Sequence, residues 1–334
     1  MRNLFHPFLF ILALGLGALV PGQSVFGQPK QQPSQTPPTQ DQDDRVRVRI
    51  NRVRLPITVV DKKGQPVGGL TISDFQILED KQPQTIETFS TEGQSIPLYV
   101  GVLMDTSPST AGKVKFEQEA AMNFIYTVIR PRKDHVAFLT FDHEINLRQD
   151  FTDRLDLLNK AVYSVKKTGT NTALYDAVWQ FCDEKMRGAQ GRRALVIITD
   201  GDDTYSRADL KDAIDIAQRT ETTIFAISTK AGFLATVPGV EAGTVKDSGD
   251  KDITKLCEDT GGIALFTGDM LALERAFKRI ATELRSQYIV TYKPTNDRYD
   301  GNYRRIEVRL ANGRDGLKVR TRKGYTAVAD SLKP

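Results

Sequence analysis

Cysteine and histidine are scarce in this chain of 334 residues, which contains 2 cysteines and 3 histidines. Two cysteines exclude a fold that is held together by several disulfides, and they exclude zinc or iron–sulfur sites built from cysteine. The few histidines argue against metal catalysis by a histidine cluster. An excess of one charge is also lacking, since 46 lysine and arginine residues face 42 aspartate and glutamate residues. The resulting net charge of +4 gives no argument for binding to nucleic acid.

Long hydrophobic runs are lacking too, apart from the 13 residues of Phe8–Val20. This run is shorter than the roughly 20 residues that a membrane-spanning helix needs. It follows Arg2 and precedes the small-residue end at Gly27. We therefore predict that residues 1–27 are a secretory signal peptide, with an uncleaved membrane anchor as the alternative.

Residues 28–44 contain four prolines and six glutamines and almost nothing apolar. This composition is typical of a disordered linker. A linker that follows a signal peptide places the folded part outside the cytoplasm, either secreted or periplasmic.

The hydrophobic pattern divides the rest of the chain into three segments. Residues 45–95 alternate apolar and polar side chains in short runs and predict an N-terminal β unit, in which Pro56 interrupts the pattern. Residues 96–285 alternate apolar strands with amphipathic helices, which is typical of a mostly parallel sheet with helices on both faces. Residues 286–334 return to strand signals. Because a β unit of about 45 residues has a marginal core, we expect both terminal segments to pack together as a β-sandwich-like unit.

Two predicted strands of the α/β segment end in aspartate. Pro97–Met104 is followed by Asp105, and Ala194–Thr199 is followed by Asp200. We expect these strands to flank the point where the strand order reverses, which is where ligands bind in open α/β sheets.

More oxygen-bearing side chains are expected at the same edge. Side chains alternate along an extended segment, so Asp105, Ser107 and Ser109 are expected to point the same way. The loop 166–172 precedes a helix and brings a threonine towards them. A set of carboxylates and hydroxyls without imidazole or thiolate suits Mg²⁺, Mn²⁺ or Ca²⁺. Because few of these ligands are anionic, the bound ion keeps positive charge and an open position for a partner's carboxylate.

Three separated motifs carry a family resemblance: Asp-Thr-Ser-Pro-Ser at 105–109, Thr-Ala-Leu-Tyr-Asp-Ala at 172–177 and Thr-Asp-Gly at 199–201. They resemble the metal-ion-dependent adhesion site (MIDAS) of the von Willebrand factor A-domain (VWA) family. The resemblance covers Pro97–Leu284 and implies a Rossmann-like fold. The flanking segments resemble those of secreted bacterial proteins related to this family. The resemblance implies that Mg²⁺ is held by Asp105, Ser107, Ser109, Thr172 and Asp200, with Thr170 as the alternative to Thr172.

The resemblance implies a binding function rather than an enzymatic one. The hypothesis is a secreted or periplasmic adhesion-type module, in which an acidic residue of a partner protein completes the coordination of the metal. A first alternative is a haloacid-dehalogenase-like aspartyl phosphatase with Asp105 as nucleophile, although Ser107 stands where that chemistry needs an acid. A second alternative is a structural envelope module with a vestigial metal site.

Three further expectations concern other parts of the chain. Cys182 and Cys257 are expected to be buried free thiols on separate helices. The loop between Ser228 and Asp250 is either a ligand-contacting lid or an insertion without function. Basic residues of the terminal strands are expected either to meet an anionic envelope surface or to form a solvated face paired with Glu307 and Asp315. They are Arg45, Arg47, Arg49, Arg52, Arg54, Arg304, Arg305, Arg309, Lys318, Arg320, Arg322 and Lys323.

Overall fold

The computed structural model describes residues 52–91, 96–110, 112–166, 169–199, 202–229, 248–267, 270–311, 314 and 316–328. The predicted signal peptide and linker lie outside these residues, as do residues 45–51 of the predicted N-terminal β unit, Asp200, residues 230–247 of the long loop, and Asp315. All described residues belong to one compact unit, Arg49–Pro334.

The described strands are numbered in chain order and fall into three groups. The first group is β1 (Val53–Val60), β2 (Phe75–Glu79), β3 (Gln82–Gln84) and β4 (Ile86–Ser90). The second is β5 (Leu98–Asp105), β6 (His135–Phe141), β7 (Ile145–Thr152), β8 (Arg192–Thr199), β9 (Thr222–Ser228) and β10 (Ala264–Phe266). The third is β11 (Tyr288–Tyr292), β12 (Tyr303–Leu310), β13 (Lys318–Arg320) and β14 (Gly324–Thr326).

The described helices all lie between β5 and β11 in the chain. They are α1 (Val114–Val128), α2 (Leu155–Tyr163), α3 (Leu174–Phe181), α4 (Leu210–Arg219), α5 (Ser248–Thr260) and α6 (Met270–Arg285). A π-helical turn at Cys182–Met186 extends α3. Helices α1, α2 and α6 pack on one face of the central sheet, and α3, α4 and α5 pack on the other. The expected α/β architecture with helices on both faces is therefore confirmed.

The central sheet has the strand order β10-β9-β8-β5-β6-β7 and is parallel except for β7. Strands β5 and β8 are direct neighbours, with Met104 of β5 opposite Ile198 of β8. The chain builds from β5 outward through β6 and then returns to the other side of β5, so the order reverses between β5 and β8. The expected position of the reversal point is confirmed.

Close packing of α3 and β8 against β5 requires a glycine in β5. A Cβ atom at Gly101 would lie 2.4 Å from a ring carbon of Phe181 and 2.6 Å from a methyl group of Leu195. Such distances are far below van der Waals contact, so any side chain at this position would displace α3 from the sheet.

The strands at the two ends of the described chain form a β-sandwich. One sheet has the order β13-β1-β11-β4 and the other β14-β12-β2-β3, so each sheet combines strands from both ends. Residues such as Leu55, Ile77, Val290 and Ile306 form the core between the sheets. The expected packing of the N- and C-terminal strands is confirmed, and its reason is that neither group has enough apolar surface to bury alone.

The expectation that Pro56 interrupts the strand pattern is wrong. Pro56 lies inside β1 and is opposite Ile289 of β11. On the other side of β1 the pairing with β13 begins only at Thr58. The missing N–H of proline is tolerated there because at Pro56 strand β1 is paired only with β11.

The basic residues of the described terminal strands are divided between the two sheets of the sandwich. Strand β12 lies in one sheet, whereas β1 and β13 lie in the other. Arg304 and Arg322 are buried, and Arg304 donates to Asp300 at 2.9 Å. The expected pair of Arg309 with Glu307 is present at 2.7 Å. Arg304 and Arg322 therefore add little to the surface charge, whereas Arg305, Lys318 and Lys323 are exposed.

Ion pairs join the sandwich to the α/β layers. Arg320 of β13 donates to Glu283 of α6 at 2.6 Å, and Glu283 is 1% exposed. Arg54 of β1 donates to Glu221, before β9, at 3.0 Å. Helix α6 also continues into β11 with only Ser286 and Gln287 between them. The two parts are therefore joined by both covalent and charged contacts.

Cys182 and Cys257 are both free and fully buried, as expected. Burial raises the pKa of the Cys182 thiol to about 12 and also raises the pKa of Cys257. Both thiols are therefore protonated and unreactive near neutral pH. As for membranes, none of the helices in the described part of the chain has the length and apolar character needed to cross one.

We predict that Glu283→Ala lowers the free energy of unfolding by about 3–5 kcal/mol, because it leaves the mostly buried Arg320 guanidinium without its acidic partner. Urea denaturation monitored by circular dichroism measures the loss. The control is Glu87→Ala, which removes the exposed pair with Arg52 at 2.7 Å and is expected to cost no more than about 1 kcal/mol. Equal losses in the two variants would contradict a junction stabilised by burial of its charges.

Candidate functional site

The carboxylate of Asp105 lies at the carboxyl end of β5 and is 0% exposed. Its Oδ1 accepts a hydrogen bond from the Ser107 N–H at 2.8 Å, and its Oδ2 accepts one from the Thr199 hydroxyl at 2.6 Å. Thr199 is the last residue of β8, so the neighbouring strand supplies the donor. A buried carboxylate needs such donors, and here they fix its orientation at the edge of the sheet.

Ser109 lies within a short 3-10 turn, Pro108–Thr110, and Ser107 immediately precedes it. The extended segment expected after Met104 is therefore wrong, because the Thr110 N–H and hydroxyl both donate to the Ser107 carbonyl, at 3.1 and 2.9 Å. The turn nevertheless brings Ser107 Oγ and Ser109 Oγ within 3.0 Å of each other. Ser107 is buried and Ser109 is exposed, so the pair connects the buried carboxylate to the surface.

Thr172 and Thr170 occupy different positions in the loop before α3. Thr172 is 7% exposed, and its carbonyl accepts from the Thr204 and Tyr205 N–H groups at 2.9 and 3.0 Å. Thr170 is exposed, and the preceding Gly169 N–H donates to the Thr106 carbonyl at 2.7 Å. Thr172 is thus hydrogen-bonded to the segment after β8. Thr170 comes directly after Gly169, which is hydrogen-bonded to Thr106, the residue before the serine turn (residues 107–110). Both threonines remain alternatives for the ligand.

The described segment after Asp200 caps helix α3. Asp203 accepts from the Tyr175 N–H at 3.2 Å, and Ser206 Oγ accepts from the Asp176 N–H at 3.0 Å. These contacts satisfy N–H groups that have no partner within the helix. The structure therefore brings Asp105, Ser107 and Ser109 together, while Asp200 lies outside the described residues.

The donor atoms gathered at this edge are oxygens. A buried carboxylate and two adjacent hydroxyls are hard ligands, which fit Mg²⁺, Mn²⁺ or Ca²⁺ and disfavour a soft metal. Over the described ranges there is no group of three or more His, Cys, Asp or Glu side chains arranged to hold a metal ion. The candidate metal centre is thus the set of one carboxylate and two hydroxyls at the end of β5, those of Asp105, Ser107 and Ser109. That these groups bind a metal stays a prediction.

Sequence reasoning missed Asp142, a second buried carboxylate at the same edge. It follows β6, the strand on the other side of β5, and is 8% exposed. Its Oδ2 accepts from the Thr106 hydroxyl at 2.7 Å. The position of Asp142 directly after an apolar strand was the signal that could have identified it, by the same rule that selected Asp105.

The family model of the von Willebrand factor type A domain matches residues 100–277, which is more than half of the chain. No curated protein matches the sequence.

Several solved structures have a similar fold at low sequence identity. An aerotolerance-related membrane protein from Bacteroides fragilis NCTC 9343, with multiple mutations to serines, is 15% identical over 56% of this chain and 98% of its own, with a TM-score of 0.43. Proximal thread matrix protein 1 from the mussel byssus, with a zinc-occupied MIDAS motif, is 12% identical over 61% of this chain and 48% of its own, with a TM-score of 0.46. The vWF domain of the type V pili tip protein Mfa5 from Porphyromonas gingivalis is 17% identical over 33% of this chain and 39% of its own, with a TM-score of 0.30.

The family match covers the α/β part of the fold. The match begins within β5 and ends within α6, and thus spans the central sheet with its helices. The chain belongs to the von Willebrand factor type A domain family.

Proposed function

We propose that this chain is a divalent-metal-dependent protein-binding module of the adhesion type. The metal, Mg²⁺ or alternatively Mn²⁺ or Ca²⁺, binds at the carboxyl edge of the central sheet, and an acidic residue of a partner protein completes its coordination. The observation that carries this proposal is the Asp105 carboxylate, fully buried and held by two hydrogen bonds, beside two serine hydroxyls only 3.0 Å apart.

The residues that would hold the ion are Asp105, Ser107, Ser109, Asp200 and either Thr172 or Thr170. When bound, the ion supplies a positive charge with a vacant coordination position. The hydroxyl ligands are neutral, and two carboxylates balance the +2 charge of the ion without exceeding it, so a third carboxylate from a partner can coordinate at the vacant position without the repulsion that a site of three or four carboxylates would impose. Because the serine turn is held by its own hydrogen bonds, little ordering is needed when the partner binds.

We propose that the module acts outside the cytoplasm, either secreted or in the periplasm. The support comes from the sequence of residues 1–27, with an early arginine, a short apolar run and a small-residue end. The linker sequence at 28–44 would then separate the folded part from the processing site.

The site favours binding over the alternative of phosphoryl transfer. A phosphatase of the type considered above needs a general acid two positions after the nucleophile, and Ser107 stands there. Both oxygens of Asp105 also accept hydrogen bonds from the protein, which reduces their nucleophilicity. We therefore propose a module without enzymatic activity.

We predict that Asp105→Ala abolishes binding of Mg²⁺ and Mn²⁺, because it removes the carboxylate at the centre of the site. In the wild type, metal at about 100 times Kd should stabilise the fold by about 2.7 kcal/mol, which thermal denaturation with Mn²⁺ or with EDTA measures. The matched control is Asp156→Ala, at an exposed aspartate paired with Arg154, which should keep the full metal response.

The same variants test the adhesion function. Partner proteins captured from native envelope or culture fluid in Mg²⁺ should be lost in EDTA and with Asp105→Ala. A wild-type chain that holds its partner equally well in EDTA, or an Asp105→Ala variant that still binds in Mg²⁺, would contradict the proposal.

We predict that one of two single substitutions, Thr170→Val or Thr172→Val, raises the Kd for Mn²⁺ about tenfold while the other stays within about twofold. Valine keeps the shape of threonine and removes only the hydroxyl, so the larger loss identifies the ligand. Isothermal titration calorimetry with the full chain measures both constants. Unchanged affinity in both variants would show that neither hydroxyl contributes to the site.

A further inference from the structure

Asp142 is held at the carboxyl end of β6 by donors from several directions. Its Oδ2 accepts from the Thr106 hydroxyl at 2.7 Å. Its Oδ1 accepts from the Glu144 N–H at 2.9 Å and lies 2.8 Å from Nδ1 of His143. Both carboxylate oxygens thus contact groups of the protein, so the carboxylate holds Thr106 and the turn at 143–144 in place.

The main chain of Asp142 contacts the second loop of the candidate site. The Ala173 N–H donates to the Asp142 carbonyl at 2.8 Å, immediately after Thr172. The side chain of Asp142 therefore binds the segment that carries Ser107, and its carbonyl binds the segment that carries both candidate threonines. One residue connects the two groups of predicted ligands.

Gly169 allows these two segments to meet over the carboxylate. Its N–H donates to the Thr106 carbonyl at 2.7 Å. A Cβ atom at this position would lie 2.2 Å from Cγ of Asp142, a distance that no side chain permits. The close approach is specific to glycine and shows that the loop is pressed directly against Asp142.

The connection continues to the segment after β8. The Thr172 N–H donates to the Thr204 hydroxyl at 3.0 Å, and Thr204 and Tyr205 donate back to the Thr172 carbonyl. Hydrogen bonds of Asp142 and Thr172 thus connect three loops at this edge: the serine turn, the loop before α3 and the segment after β8. The relative positions of the loops are set by this series of bonds rather than by the strands alone.

We propose that Asp142 is a positioning residue of the candidate metal site, which sets the distance between the serine turn and the threonine loop before the metal binds. The inference rests on the proposed function, since it assumes that these loops hold the ion. Groups that orient metal ligands without touching the metal commonly change metal affinity 10- to 100-fold.

The sharpest test changes Thr106, which links Asp142 to the serine turn and is not a predicted ligand. Thr106→Val removes the hydroxyl donor at nearly constant shape, and Thr106→Ser retains it. We expect the Kd for Mn²⁺, measured by calorimetry on the full chain, to rise about tenfold or more in Thr106→Val. We expect it to stay within about twofold of wild type in Thr106→Ser.

A second readout requires no metal. The Gly169 amide donates to the Thr106 carbonyl, so its hydrogen exchange in the presence of EDTA should be faster in Thr106→Val than in Thr106→Ser or wild type. Exchange that is equal in the three proteins would show that the Thr106 hydroxyl does not hold the loop, and would overturn the inference.

A control variant at the other end of β6 separates an effect on metal affinity from a general loss of stability. Asp134 precedes β6, is 1% exposed and accepts from the Leu98 N–H at 3.0 Å. Asp134→Asn should lower the melting temperature and leave the Kd for Mn²⁺ within about twofold. If Thr106→Val does not fold, Asp142→Asn replaces it with the same expected loss of affinity.

The outcomes separate the two proposals. A wild-type chain that binds neither Mn²⁺ nor Mg²⁺ overturns the proposed function and, with it, the role of Asp142. A wild-type chain that binds Mn²⁺, with Thr106→Val or Asp142→Asn of equal affinity, overturns the positioning role alone. A loss of affinity equal to that of Asp134→Asn would show that Asp142 only stabilises the fold.

Discussion

The structure at the carboxyl edge depends on the burial of one carboxylate, that of Asp105. Removing an ionised carboxylate from water is costly unless hydrogen-bond donors replace the lost water. The Ser107 N–H and the Thr199 hydroxyl supply them at 2.8 and 2.6 Å. The first donor requires the chain to turn immediately after β5, and the second requires β8 to lie beside it. The serine turn and the neighbouring strand end are therefore consequences of the same requirement.

The edge is further ordered by polar contacts between loops, which lie above the last buried apolar residues of the strands, Met104, Phe141 and Ile198. Asp142 contacts Thr106 through its carboxylate and Ala173 through its carbonyl. Thr172 in turn is bonded to Thr204. Hydrogen bonds in a buried setting are directional and fail if either partner moves, so this arrangement specifies positions more narrowly than apolar packing does. Such rigidity would suit the proposed metal site, in which several oxygen ligands surround one ion.

The sandwich gives the α/β layers a fixed base away from this edge. Its sheets combine strands from both ends of the described chain, so the central part is inserted between them. Arg320 and Glu283 connect the sandwich to α6, and α6 leads directly into β11. Two of the basic side chains of these strands, Arg320 and Arg54, make contacts of this kind, because long guanidinium groups reach carboxylates across the junction.

Hydrophobic periodicity and strand-end chemistry determined much from the sequence alone. The apolar runs of β5 and β8 are typical of buried strands, and their alternation with amphipathic helices favours a few sheet topologies, from which the reversal point between β5 and β8 was predicted. Only the tertiary structure decided how neighbouring segments meet. The serine turn, the tolerance of Pro56 in β1 and the partition of the arginines between sheets depend on contacts with residues distant in the chain. Asp142 shows the reason: it lies against Thr106 and Gly169, which local pattern does not connect to it, because contacts between loops are set by the geometry of the finished sheet.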